Sequence, residues 1–119
     1  MSAYTTTAPE SRLYRNATAA DGAVTDKRQG LNCSGYDTVH FEIIAAGGGN
    51  PACELLFWSE GAQKFVSDAT PVVIAAGGVN SSRVFSYPVK GRTVFMSVTT
   101  LAAGSVAIYA SGFRSNTDF

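Results

Sequence analysis

The chain has 119 residues and a mass of 12.4 kDa, one domain's worth, since chains divide into several domains only well above this length. With its 12 Gly counted and its 5 Tyr left out, the apolar set is roughly half of the chain, an ordinary globular value that argues against intrinsic disorder. Nine basic residues balance nine acidic ones at a charged fraction of 15%, below the roughly 25% of average domains, which disfavours a nucleic-acid binder that must neutralise phosphates.

Residues 1–10 are low in apolar content and read as an extended amino-terminal arm. The arm has neither a basic n-region nor a hydrophobic h-region, so it predicts no export signal. A single domain is expected over 11–113 and a short tail over 114–119. Over the whole chain, β-branched and aromatic residues number 39 against 22 strong helix formers other than Ala, so composition favours strands. Short candidates come first, at Ser11 to Arg15 and Arg28 to Leu31. In Thr38 to Ile44, Val39, Phe41 and Ile43 alternate with Thr38, His40 and Glu42, which is the pattern of a half-buried strand. Cys53, Leu55 and Phe57 alternate with Glu54, Leu56 and Trp58, a strand covered on both faces near its end.

Lys64 to Ser67, Pro71 to Ala75 and Arg83 to Tyr87 are further short candidates. Two long strands follow, Val94 to Thr99 and Val106 to Ser111, expected to form a hairpin through Leu101-Ala102-Ala103-Gly104. An internal echo, apolar pair then Ala-Ala-Gly-Gly-x-Asn, begins at Ile43 and again at Val73; both copies read as strand ends running into turns with φ > 0. About eight or nine strands at 8–12 residue spacing indicate an all-β sandwich, with a jelly roll as the expected form and an immunoglobulin-like order the alternative that spacing leaves open.

Chemical motifs are sparse. His40 and Glu42 stand two apart on one strand phase, but no Gly-x-Ser-x-Gly elbow accompanies them. One His and two Cys separated by twenty residues do not make a zinc set, and Cys33 and Cys53 are expected to remain free thiols in a reducing compartment. Glu42, Glu54 and Glu60 could pair across strands as a glycosidase would need, yet nothing selects them over a solvated sheet face. No catalytic residue, cofactor or metal is therefore assigned, and no apolar run reaches the ~20 residues of a membrane helix. Trp58, Tyr36, Tyr87 and Tyr109 offer an alternative function, sugar stacking in a carbohydrate- or receptor-binding module.

Polarity comes from 23 Ser and Thr, which are buried against a neighbour at less desolvation cost than charges. Tyr36 to Ile43 as a central strand, Phe57-Trp58-Ser59-Glu60-Gly61 closing the next, and Gly91 to Val98 leading into Gly104 to Gly112 together span about two-thirds of the chain. This layout resembles the capsid decoration (cement) proteins of tailed bacteriophages and related small virion proteins. The resemblance implies a non-enzymatic protein, made in the host cytoplasm, that oligomerises, commonly as a trimer. It implies further that the protein sits on the virion surface, bridging neighbouring subunits of the major capsid protein, with no nucleic-acid or membrane partner. Tail, neck or fibre is the alternative location. The arm with Tyr4, the first strand with Arg12 and Tyr14, and the carboxy-terminal end with Phe113, Arg114 and Phe119 are the expected partner-binding residues.

Overall fold

Alternation sets the architecture. In β4 (Thr38–Ala46) the residues Val39, Phe41, Ile43 and Ala45 are buried while their neighbours are only partly covered, so one face of the strand packs inward. β5 (Ala52–Ser59) buries Cys53, Leu55 and Phe57, and β9 (Ser105–Phe113) buries Val106, Ile108 and Ala110, in the same way. The computed structural model describes residues 5–47, 51–75 and 82–114. It adds β1 (Thr5–Thr6), β2 (Arg12–Ala17), β3 (Leu31–Asn32), β6 (Lys64–Ala75), β7 (Ser82–Pro88) and β8 (Thr93–Thr100).

The strands form two sheets, one ordered β2-β9-β4-β7 and the other β1-β3-β8-β5-β6. All pairings are antiparallel except β1 with β3. From β2 to β9 each strand lies in the sheet opposite its predecessor, save that β5 and β6 are neighbours. That alternation, with 2-9-4-7 facing 3-8-5-6, is the double Greek key of a jelly roll. The expected all-β sandwich is thus present with its topology settled. Phe41, Ile43, Leu55, Met96 and Ile108 fill the space between the sheets, each removing a large apolar side chain from water for about 1.5–3 kcal/mol.

Three local expectations are corrected. β8 and β9 do not form a hairpin: they lie in opposite sheets and face each other across the core. The chain crosses the sandwich at residues 101–104 because Gly104, with φ of +79°, is pressed against β4's end, where a Cβ would meet Ala46 O at 2.0 Å. Arg28 to Leu31 is a 3-10 turn over Lys27–Gln29 followed by the two-residue β3, since the Asp26 side chain accepts from Arg28 N and caps the turn. Lys64 to Ser67 and Pro71 to Ala75 join as one strand, β6, whose register against β5 jumps between Ser67 and Val72, so residues 68–71 bulge from the sheet edge and admit Pro71. Where it is described, the extended arm is paired: Thr5 and Thr6 lie beside Leu31 and Asn32. Of the internal echo, Gly47 has the expected positive φ of 90°, while residues 48–50 and 76–81 lie outside the described residues.

A second, smaller cluster covers the outer face of the five-stranded sheet. Val24, from the segment joining β2 to the 3-10 turn, packs with Phe65 and Phe95, with Leu56, Trp58 and Tyr14 at its margin. The segment is fastened where β3 stops short: β3 reaches β8 only at Thr93 and Val94, which leaves the next residues of β8 without a strand on that side. Asp21 takes its place. Asp21 N donates to Val98 O at 2.7 Å, and the Asp21 carboxylate accepts from Val98 N at 2.7 Å. Arg15 grips that carboxylate with two bonds of 2.8 and 2.9 Å, donates to Met96 O, and lies 4.8 Å from the centre of the Phe95 ring.

Candidate interaction face

The ladders of β2, β9, β4 and β7 place side chains in rows on the outer face of the four-stranded sheet, because residues directly opposite in an antiparallel pair share a face. One row reads Val84, Glu42, Tyr109, Leu13; the next reads Ser86, His40, Ser111; a third reads Pro88, Thr38, Phe113. A fourth, at the other side of the Glu42 row, reads Ser82, Ile44, Ala107, Asn16. Glu42 is the one carboxylate in these rows and His40 the one imidazole. Leu13 at 46%, Val84 at 59% and Phe113 at 51% exposure are the large apolar side chains left open among the described residues, and all three stand here. The other sheet's outer face already carries its own cover, the Val24 segment, so the two faces of the sandwich differ in kind.

Toward the arm, the face ends in a pocket of about 410 Å3 lined by Pro9, Tyr36, Gly112, Phe113 and Arg114. Arg114 lies 4.9 Å from the Tyr36 ring centre and its Nε donates to Gly35 O at 2.9 Å, so the cation is held flat against an aromatic wall. Phe113 meets His40 edge-on with centroids 6.3 Å apart, and His40 Nδ1 lies 3.1 Å from Ser86 Oγ. Row by row, this is a flat, near-neutral surface with aromatic relief and hydroxyl hydrogen-bonding groups.

Several expected residues meet here and others do not. Phe113 and Arg114 line the pocket, and Leu13, between the expected Arg12 and Tyr14, contributes the apolar contact on β2. Arg12 is exposed and pairs with Glu10. Tyr14 is turned away as a bridge between the two apolar clusters, its hydroxyl donating to Gln29 O at 2.7 Å; burial pushes its phenol up. Tyr4 and Phe119 lie outside the described residues. Sequence reading missed Val84 and Leu13; the registers of β2 and β7 against their neighbours are what set them beside Tyr109 and Glu42.

The rival chemistries are dispersed. Glu42 stands on the four-stranded sheet, Glu54 on the opposite outer face accepting from Ser67 Oγ, and Glu60 at the β5–β6 turn paired with Lys27. Of the aromatics proposed for sugar stacking, Tyr36 is buried and Trp58 packs edge-on against Phe65. Tyr87 packs on Phe57 and donates to Asp68. No group of three metal-ligating side chains occurs among the described residues. Cys33 and Cys53 are free and buried in the main core.

Fold and face together define a jelly-roll β-sandwich with one covered and one open side. No family model and no curated protein matches the chain. A solved structure to which it is similar belongs to Bacillus endospore appendages, described as a novel family of disulfide-linked pili, with 19% identity over 89% of this chain and 87% of that one and a TM-score of 0.44.

Proposed function

We propose that this protein is a non-enzymatic structural component of a virion, which stabilises the assembled capsid by docking across neighbouring subunits of the major capsid protein. The observation that carries this reading is the gathering of Leu13, Val84 and Phe113 on one outer sheet face that holds a single carboxylate. Four strands at about 4.8 Å spacing over some seven residues give a footprint on the order of 400 Å2, below the roughly 800 Å2 per partner of a standard stable complex. A contact that small binds weakly alone. Repeated by symmetry over a shell it gains through avidity, and because it recognises the assembled state it stabilises that state by mass action.

The test is recovery in particles. Density-purified particles from cells making the chain are assayed by mass spectrometry for the ratio of this protein to the major shell protein. A fixed stoichiometric ratio, lost when Val84 is replaced by Glu, is expected; presence only in the soluble fraction overturns the reading.

A further inference from the structure

The described part of the arm, residues 5–9, lies in a slot that the body of the domain supplies. Thr5 and Thr6 pair with β3, Thr7 N donates to Asn32 O at 2.9 Å, and Gly112 N donates to Ala8 O at 2.7 Å. The arm therefore touches both sheets. Thr7 is buried, its hydroxyl donating to Cys33 Sγ at 3.3 Å. The slot is shaped for that side chain: a Cβ at position 112 would fall 2.5 Å from Thr7 Cγ2 and 2.6 Å from Tyr36 Cδ1, so glycine is what leaves room. Beside the slot, Pro9 forms one wall of the pocket that stays open on the interaction face.

Between Ala8 in the slot and Arg12 at the start of β2 stand only Pro9, Glu10 and Ser11, all three exposed. Short hinges are the ones that straighten and hand their segment to another molecule. Straightened, the four steps from Ala8 to Arg12 reach about 14 Å. Each bond in the slot joins arm to body and none depends on the hinge, so the same set forms whichever copy supplies the arm.

From this arrangement we infer that the arm is exchanged: residues 5–9 of one protomer occupy the slot of a second copy of this chain. The occupant's identity follows from the fit, since the slot matches this chain's own Thr7 and Ala8. Exchange costs association entropy and breaks no bond that is not remade, so a high concentration of chains tips the balance towards it. The inference goes beyond shell binding and requires no shell.

The native Cys33 supplies the probe. In Thr7→Cys the new thiol replaces a hydroxyl 3.3 Å from Cys33 Sγ, within easy reach of a disulfide after a small rotation. Isotopically heavy and light chains of this variant are refolded together at high chain concentration, oxidised, and read by non-reducing electrophoresis and by mass spectrometry of the peptide linking 7 to 33. Covalent dimers or larger species containing mixed heavy–light 7–33 links are expected, and Thr7→Cys combined with Cys33→Ala should give none. Inserting Gly-Ser-Gly-Ser between Glu10 and Ser11 should move the links at least tenfold towards single chains, because a longer hinge lets the arm fold home. Links confined to single chains, or no 7–33 link at all, overturn the exchange. The particle assay is read separately, so either idea fails without the other.

Discussion

Asp21 illustrates how one side chain can close a sheet. Its carboxylate does for β8 what a longer β3 would have done, and burial, which alone would raise its pKa, is outweighed by hydrogen bonds from Arg15 and Val98 N and by the Arg15 charge, so the carboxyl titrates below its ordinary range. Both partners are largely covered, at 19% and 17% side-chain exposure, so removing one leaves the other without its counter-charge. Asp21→Ala is expected to cost about 2–3 kcal/mol in urea unfolding. The sign with pH follows: a lowered native pKa contributes stability that is complete above the unfolded value and is lost as pH falls through the native one. Stability of the parent protein should decline below about pH 4, and Asp21→Asn should flatten that limb. A slope unchanged by Asp21→Asn would remove Asp21 from the account.

The two thiols titrate the other way. Burial, opposed at Cys33 by the Thr7 hydrogen bond and the Arg92 charge and at Cys53 by Arg15, pushes each up to about 11. Because the thiolate is the reactive form, neither should be labelled by a thiol reagent near neutral pH until the chain is unfolded in denaturant. Their neutral state also means that stability is full below about pH 9, the unfolded range, and falls as pH climbs toward 11. Rapid labelling of the folded protein would contradict the burial of both.

At the scale of elements, period-2 alternation made β4, β5, β8 and β9 legible, because a half-buried strand must repeat every second residue. Pairing was not legible. Val94, Met96 and Val98 carry the same pattern whether their neighbour lies beside them or across the core, and a four-residue connection suits a hairpin equally well. What excludes the hairpin is the crossing at Gly104, close against Ala46 and Gly47. Gly104→Ala should therefore be costly, about 2–4 kcal/mol from the positive φ and the clash combined, seen as a lowered urea midpoint with an unchanged slope. A neutral Gly104→Ala would mean the crossing is not as tight as described. The short elements escaped for another reason: β1 and β3 are two residues each, too short for any periodicity to register.

Across the whole molecule, the difference between its two outer faces is the feature with consequences. One is sealed by a loop and an ion pair, the other is open and almost uncharged. Leu13→Glu and Val84→Glu sit on exposed strand positions and should change stability by no more than about 0.5 kcal/mol, yet under the proposed shell-docking role each should abolish recovery in particles. A loss of folding in both would return these side chains to the core's account.

The sequence by itself determined that this is a strand-built, weakly charged chain with Cys33, Phe41 and Ile108 among its apolar residues, because alternation and composition are local and survive without contacts. Only the tertiary structure decided which strands are neighbours, which face stays open and what covers the other. Those properties depend on register and on loop paths, and a strand's own residues are indifferent to what lies next to them.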